Sequence, residues 1–429
     1  MPNRRDLIAA LAGTAAAATM PAARAQFRIE ISGVGARQIP IVVAALRGEE
    51  RAPVQVSAVV RADLQRSGLF SPAPSSTPLD ESSTIASAEW RVRGTDAVVA
   101  GSMTRRADGR WDVRFKLWDV VKGEELFGQA RTVQEADLRL ASHRIADEVF
   151  EKLTGERGVF ATRIAYVMKA GPRYTLHVAD SDGEGGQVAL TSPQPIISPA
   201  WSPAGNELAY VSFETNKAVV WVQDVSSGQR RAVADFRGSN SAPAWSPDGS
   251  QLAVALSREG LTQLFVIPRG GGTPRRLTSS PSIDTEPIYS PDGDKIYFVS
   301  DRSGGPQIYR MPAGGGAVER VSYTGNYNIS PTLSPDGKLM ACINRGAGNI
   351  FRVMVQDLSG GTPQIITDTS DDESPSFAPN GRLLLYATRM GGRDTLMTTT
   401  LDGKIKARLP SGGNDLREPT WGPFNRERA

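Results

Sequence analysis

The side chains best placed for chemistry in this sequence are acids and amides, which gather in short loops ahead of a recurring proline motif. Histidine and cysteine offer little, because the chain of 429 residues contains only His143, His177 and Cys342. A single cysteine excludes an intramolecular disulfide and a cysteine-rich metal site. No nucleophile elbow, phosphate-binding loop, dinucleotide fingerprint or metalloprotease motif occurs. The acids and amides are Asn240, Asp284, Glu286, Asn326, Asn328, Asp371, Asp372, Glu373, Asp415 and Glu418.

Loops of this composition suit three kinds of chemistry. They could form a polar rim that recognises another protein, because they differ from one repeat to the next while neighbouring turns do not. A ring of carboxylates could also hold a cation. A pair of carboxylates at the right separation could hydrolyse a glycosidic bond. Positive side chains in neighbouring loops would extend the same surface, and they are Lys217, Arg258, Arg302, Arg345, Arg389 and Arg393.

The overall composition predicts a folded chain with frequent turns. Hydrophobic residues make up 40% of the sequence, which is enough for packed cores. Glycine and proline together supply 43 + 29 = 72 residues, so long helices should be few. The net charge of +3 comes without a cluster of lysine and arginine, so we expect no nucleic-acid partner. We also expect no cofactor, no metal site and a monomer.

Residues 1–25 have the organisation of an export signal. Arg4 and Arg5 precede a short apolar run over residues 7–20, and Ala23-Arg24-Ala25 offers a cleavage site for small residues. The run is too short to span a bilayer, which takes about 20 residues. We therefore expect a periplasmic protein whose mature chain begins near Gln26 and does not insert into the membrane. The arginine pair leaves both the general and the twin-arginine export routes open.

A repeat of 44 residues organises the second half of the chain. The motif Pro-x-Trp-Ser-Pro-Asp-Gly, or a close variant, recurs at a constant spacing without insertions. Its leading prolines are Pro199, Pro243, Pro287, Pro331, Pro375 and Pro419. Each unit contains four short runs rich in β-branched and aromatic residues; in the third unit they cover residues 287–290, 295–300, 307–311 and 318–322. Four antiparallel strands per repeat are typical of propeller blades.

The ends of the repeat predict how the ring closes. The first unit, near residues 164–190, lacks an innermost strand, and the last innermost strand, at residues 419–421, lacks its three partners. Pairing these two fragments completes six blades and leaves no open edge. A linear solenoid is the competing architecture, but it would not need complementary ends. The predicted fold is an α+β N-terminal domain at 26–158 followed by an all-β six-bladed propeller at 159–429, closed by the C-terminal strand.

The first half lacks the repeat and predicts a mixed α/β domain. Predicted strands cover residues 27–31, 40–46, 96–104, 111–119 and 124–133. Predicted helices cover residues 54–68 and 138–153, where apolar side chains recur every four residues, and Gly155 would end the second. Residues 71–76 are predicted to form an exposed loop. His143 and His177 are expected to be structural.

The layout and three sequence segments together resemble the TolB family of the bacterial Tol–Pal envelope system. The segments are LTGERGVFATRIAYV at residues 153–167, the six motif copies, and Asn380-Gly381 with KIKARL at residues 404–409. The resemblance covers the whole chain. It implies a non-enzymatic periplasmic scaffold that supports outer-membrane integrity and envelope constriction during cell division.

The resemblance also implies two partners and their sites. The propeller mouth would bind the lipoprotein Pal, and the mature N-terminal segment would bind the inner-membrane protein TolA. The implied Pal-binding residues are Asn240, Ala242, Thr285, Glu286, Tyr327, Asn328, Asp372 and Glu373. The implied TolA-binding residues are Gln26, Phe27, Arg28, Ile29, Glu30, Ile31, Ser32 and Gly33. The alternatives are a propeller-fold hydrolase and a periplasmic binding propeller with another partner.

Overall fold

A computed structural model describes residues 38–75 and 79–425 of the chain. The export signal, the predicted strand at 27–31 and the implied TolA-binding residues lie outside this described part. Within it, every helix is too short or too polar to cross a membrane.

The N-terminal domain is a five-stranded mixed sheet with two helices on one face. The sheet order is β2-β1-β3-β4-β5, in which β1 runs parallel to both β2 and β3, and the remaining neighbours are antiparallel. The elements are β1 (Ile39–Val43), α1 (Val56–Arg66), β2 (Phe70–Ala73), α2 (Ser87–Val92), β3 (Ala97–Arg105), β4 (Trp111–Asp119), β5 (Glu124–Val133) and α3 (Leu138–Thr154). Single turns of 3₁₀ helix at Glu49–Arg51 and Glu135–Asp137 connect them.

Buried side chains alternate with more exposed ones along strand β4 of this sheet, and the buried ones pack against the helices. In β4, Trp111, Val113, Phe115 and Leu117 face inward and are buried, while the residues that alternate with them are more exposed. They share one core with Val60 of α1 and Val149 of α3. The predicted strands 111–119 and 124–133 and both predicted helices are confirmed, and Gly155 ends α3 with a φ of +75° as expected.

Two elements of this domain were not predicted correctly. The predicted loop at 71–76 is wrong in its first half, because Phe70–Ala73 forms β2 and pairs with β1 from Ile39 opposite Phe70. Pro72 is compatible with this strand because β2 lies at the edge of the sheet, where a missing N–H group is tolerated. Helix α2 was missed because it has six residues and a single buried anchor, Trp90.

Six four-stranded antiparallel sheets form the propeller, so the predicted fold class is confirmed. We number the blades from the one that contains both ends of the repeat. Blade 1 has β29 (Asp415–Trp421), β6 (Arg163–Ala170), β7 (Arg173–Asp180) and β8 (Gln187–Ser192). Blade 2 has β9 (Ile196–Trp201), β10 (Glu207–Ser212), β11 (Val219–Asp224) and β12 (Arg230–Ala234), and blade 3 has β13 (Asn240–Trp245), β14 (Gln251–Leu256), β15 (Gln263–Pro268) and β16 (Arg275–Arg276).

The remaining three blades repeat the pattern. Blade 4 has β17 (Asp284–Tyr289), β18 (Lys295–Ser300), β19 (Gln307–Pro312) and β20 (Glu319–Arg320). Blade 5 has β21 (Asn328–Leu333), β22 (Leu339–Arg345), β23 (Phe351–Asp357) and β24 (Gln364–Ile365), with a 3₁₀ turn at Ala347–Asn349. Blade 6 has β25 (Glu373–Phe377), β26 (Leu383–Met390), β27 (Arg393–Thr400) and β28 (Lys406–Arg408). In blades 3 to 6 the outer strand has only two or three residues, which leaves little edge for another chain to pair with.

The C-terminal strand closes the ring as predicted. Strand β29 pairs antiparallel with β6, with Trp421 opposite Ile164 and Asp415 opposite Lys169. The indole Nε1 of Trp421 donates to the Thr162 hydroxyl over 2.8 Å, and the ring is 6% exposed. A strand from the end of the chain therefore completes the blade that begins the propeller.

The turns between the first and second strands of a blade are built alike. In blade 3, Pro247 follows Ser246, the N–H of Gly249 donates to the carbonyl of Ser246 over 2.8 Å, and Asp248 accepts from the N–H of Ser250 over 3.0 Å. Gly249 has a φ of +70°, which a side chain would disfavour. This is the local mechanism that the Ser-Pro-Asp-Gly sequence predicts.

A buried charged cluster joins the two domains at blade 1. Asp63 of α1 lies 2.6 Å from Nδ1 of His143 on α3, and Nε2 of His143 points to Asp180, 3.6 Å away at the end of β7. Burial alone would lower the pKa of His143, but the carboxylates around it outweigh burial and raise the pKa to about 10. Arg139 of α3 also reaches Asp180, over 3.2 Å. His143 is thus a charged structural group of the domain junction.

We predict that removing residues 419–429 opens the ring. The truncated chain loses the pairing of Thr420 with Ala165 and of Trp421 with Ile164, which exposes this half of the β6 edge. Loss of one buried tryptophan costs about 3–5 kcal/mol, which lowers the melting temperature of a domain of this size by roughly 10 °C. Removing only residues 426–429 is the control and should leave the melting temperature unchanged. Equal melting temperatures for both truncations, measured by calorimetry, would contradict closure by β29.

Candidate functional site

The candidate site is the mouth face of the propeller. We define it as the face formed by the loops that enter the inner strands and by the loops between the second and third strands of each blade. The inner strands β9, β13, β17, β21, β25 and β29 line the central channel beneath it. Each has a break in its ladder register near the mouth. Such bulges bend a strand and redirect side chains, and they are frequent beside functional sites.

One residue of every bulge has a left-handed backbone conformation. These six residues have φ between +48° and +53°, none of them is glycine, and each precedes a proline. Both features are unfavourable, since left-handed geometry costs roughly 1–2 kcal/mol for a residue with a side chain and a following proline favours an extended conformation. The residues are Ser198, Ala242, Glu286, Ser330, Ser374 and Glu418. The ring thus holds a strained, preformed mouth, and strain of this kind is a pointer to function.

Two glutamates of this ring bridge neighbouring blades. Oε2 of Glu286 accepts from the N–H of Ser330 over 2.6 Å, and Oε2 of Glu418 accepts from the N–H of Ser198 over 3.1 Å. Burial raises the pKa of both carboxyls, while these backbone hydrogen bonds act in the opposite direction. Glu286 belongs to blade 4 and Glu418 to blade 1, so the two carboxylates lie on opposite sides of the channel.

Three of the eight implied Pal-binding residues are buried anchors of their own loops. Asn240 is fully buried; its amide donates to the carbonyl of Ala218 over 3.0 Å, and its Oδ1 accepts from the N–H of Phe236 over 3.0 Å. Asn328 and Asp372 occupy the same position two and three repeats later, and they are 0% and 4% exposed. These side chains can influence a partner through the shape of the loops that they hold.

The other five implied residues reach the surface of the mouth face. Ala242, Thr285, Glu286, Tyr327 and Glu373 are all partly exposed. Ala242 and Glu286 are bulge residues, Thr285 and Glu373 immediately precede a bulge residue, and Tyr327 lies just before β21. The structure therefore brings these five residues to one face.

The bulge residues Ser198, Ser330, Ser374 and Glu418 were not among the implied Pal-binding residues, although Glu418 was among the acids of the candidate loops. The signal that could have identified them is the 44-residue spacing, because each stands at a multiple of 44 from Glu286. The same spacing relates the anchors Asn240, Asp284, Asn328 and Asp372. A search for polar residues at constant positions of the repeat would have separated the bulge residues from the buried loop anchors.

A cleft at the junction of blades 6 and 1 gives Glu373 unusual surroundings. Asp371, Glu373, Asp394 and Arg417 line the cleft, which has a volume of about 230 Å³, and Arg417 is paired with Asp394. Burial raises the pKa of Glu373 to about 7, and the charge of Glu418 adds to the effect. The mouth therefore contains a carboxyl that titrates near neutral pH.

Possible metal ligands gather elsewhere. In the part of the chain that the structure describes, Asp63, His143 and Asp182 are close enough to share an ion, and they belong to the domain junction. Nδ1 of His143 already lies 2.6 Å from Asp63, so this arrangement is explained by an ion pair.

The fold and the mouth define a class of protein: a six-bladed β-propeller that carries an N-terminal α/β domain on the blade where the ring closes. The family description "TolB beta propeller domain" matches residues 150–425, and "TolB amino-terminal domain" matches residues 27–126. The chain belongs to the TolB family.

Individual relatives agree with this assignment. The chain is 65% identical over 425 residues to the Tol-Pal system protein TolB of Polaromonas sp., covering 99% of this chain and 98% of the relative. It is 66% identical over 425 residues to the protein of the same name from Polaromonas naphthalenivorans, with the same coverage. The crystal structure of TolB from Acinetobacter baumannii is 38% identical, with a TM-score of 0.84 over 90% of this chain and 97% of that chain.

We predict that Glu373 makes the stability of the protein depend on pH. The pKa of Glu373 is about 7 in the folded protein, against a reference value of 4.5, so the folded state holds this proton more tightly than the unfolded state. Ionisation of Glu373 therefore lowers stability progressively as the pH rises from 4.5 to 7, by roughly 3 kcal/mol in total. Glu373→Gln should raise the melting temperature at pH 8, with a smaller difference at pH 5.

The control for this experiment is Glu259→Gln, which removes an exposed carboxylate from the same face. It should change the melting temperature little at either pH. A Glu373→Gln effect of equal size at pH 8 and pH 5 would show that burial does not hold a proton on this carboxyl.

Proposed function

We propose that this protein is a non-enzymatic periplasmic scaffold of the Tol–Pal system. Its propeller mouth binds Pal, and its mature N-terminal segment binds TolA. The pair of contacts links the outer membrane to an inner-membrane complex, and so supports outer-membrane integrity and constriction of the envelope during cell division. Membership of the TolB family over 99% of the chain supports the assignment to the Tol–Pal system.

The observation that carries the Pal proposal is the preformed mouth. The six strained bulge residues and the buried loop anchors are fixed before any partner arrives. A fixed surface loses little conformational freedom on binding, which favours docking of a folded protein. The five partly exposed residues supply a carboxylate pair, a hydroxyl, a methyl group and a phenol, a mixture suited to a polar protein surface.

The TolA proposal rests on the sequence of residues 26–33 and on the family assignment. Phe27, Ile29 and Ile31 alternate with Arg28 and Glu30, which is the pattern of a strand with one apolar face. A short segment of this kind can add to an exposed sheet edge of a partner through backbone hydrogen bonds.

A glycoside hydrolase is the second candidate, because Glu286 and Glu418 are two carboxyls with raised pKa on opposite sides of one channel. The hydrogen bonds that each accepts from a backbone N–H give these carboxylates a structural role that does not require catalysis. Release of soluble fragments from purified peptidoglycan, lost in Glu286→Gln, would favour the hydrolase.

We predict that reversing the charge of Glu286 weakens Pal binding. Glu286→Lys should lower the affinity for lipid-free Pal by tenfold or more, the usual size of a lost charged contact, in isothermal titration. Glu286→Gln keeps an acceptor for the Ser330 N–H and should weaken binding less. The control Glu259→Lys makes the same charge change on the same face and should bind as the wild type does. Unchanged affinity of both Glu286 variants would place the Pal site elsewhere.

We predict that removing residues 26–37 abolishes TolA binding and preserves Pal binding. The deletion ends before the first described residue, so it removes none of the described strands and helices. Surface plasmon resonance against immobilised TolA and Pal measures both effects on one sample. TolA affinity equal to that of the full mature chain would refute the assignment of this segment.

A further inference from the structure

A cleft of the mouth face lies between blades 4 and 5, away from the channel. It has a volume of about 460 Å³. Its walls are the loop 303–307 of blade 4 and the loop 325–327 that leads into β21, together with Arg320 and Arg345. Glycine at 305 keeps the two loops close, since a Cβ there would lie 2.9 Å from the carbonyl oxygen of Asn326.

Aromatic rings hold both arginines in place. The guanidinium of Arg345 lies 4.2 Å from the ring centre of Tyr327, which packs edge-on against Phe351 at 5.9 Å. The guanidinium of Arg320 lies 5.1 Å from the ring centre of Tyr323, and its Nε donates to the carbonyl of Ser322 over 2.6 Å. Stacking leaves the N–H groups at the edge of a guanidinium able to donate.

Neither arginine has an acidic partner among the described residues, and neither forms an ion pair there. The contrast within blade 4 is clear, because Arg302 is paired with Asp284 over 2.8 Å and Arg310 with Glu319 over 2.9 Å. The cleft thus presents two held guanidinium groups that lack a counter-charge from the protein. A carboxylate is the group whose geometry matches a guanidinium best.

An exposed aromatic side chain beside the cleft favours a protein as the source of that carboxylate. The ring of Tyr323, which stacks on Arg320, is 71% exposed. Tyrosine and arginine are the residues most often found at the energetic centre of protein interfaces. A small free acid would leave the exposed ring of Tyr323 uncovered.

We propose that the cleft between blades 4 and 5 receives an aspartate or glutamate side chain of the protein that docks on the mouth, with Arg345 and Arg320 as its ligands. The inference rests on the proposed function, because it requires a protein partner at the mouth. It adds a contact outside the channel, and a second contact away from the axis would fix the rotation of the partner around the propeller.

The test compares Arg345→Gln and Arg320→Gln with the control Arg310→Gln. Arg310 belongs to blade 4, lies outside the cleft and is paired with Glu319 over 2.9 Å. The probe is lipid-free Pal, titrated at low and at moderate salt. The two cleft variants should lose tenfold or more in affinity and show a weaker salt dependence, while the control should not. Equal melting temperatures confirm that the variants are folded.

A double-mutant cycle identifies the carboxylate. Each aspartate and glutamate on the surface of Pal is replaced by its amide and titrated against the wild type and Arg345→Gln. One acidic residue should lose its effect when Arg345 is absent. If Pal binds the wild type but no acidic residue couples to Arg345, the inference is overturned and the proposed function stands. If Pal does not bind the wild type, the proposed function fails and the inference fails with it.

Discussion

The rest of the structure depends on the pairing of the last strand with the first blade. Strand β29 pairs with β6 across more than half of the sequence, so blade 1 lacks its inner strand and the ring stays open until both ends of the repeat have met. Contacts between residues so far apart in sequence cost chain entropy. The contacts formed when the ring closes must offset this cost in a single step. The buried Trp421 and its hydrogen bond to Thr162 supply stabilising contacts at the point of closure.

Closure explains how the mouth can hold strained residues. A left-handed conformation before proline persists only where the surroundings leave no alternative. In each inner strand the residues around the bulge are paired to the second strand, and Glu286 and Glu418 tie two of the bulges to the next blade. The strained conformation of the mouth therefore depends on closure of the ring. The N-terminal domain contacts the blade where the ring closes, through Asp63, His143 and Asp180.

Most of the fold could be predicted from the repeat, because a constant spacing indicates strand positions independently of local propensity. It placed β18 correctly, and it predicted the partnership of β29 with β6 from the incomplete ends alone. It failed where no repeat exists, at β2 and α2, whose four and six residues are too few to show a period. The outer strand of blade 4 proved shorter than predicted, since β20 keeps only Glu319–Arg320 of the predicted 318–322.

The site was harder to predict than the fold, because burial at the mouth does not follow strand alternation. A bulge shifts the alternation by one residue, so strand alternation cannot tell which of Asn240 and Ala242 faces a partner.

The central claim is that β29 is an integral strand of a closed ring, and hydrogen exchange of the amides in Asp415–Trp421 tests it most directly. The account predicts exchange only through global unfolding, with the free energy obtained from denaturant unfolding. Exchange of β29 at a much lower free energy, while β6 and β7 stay protected, would contradict it.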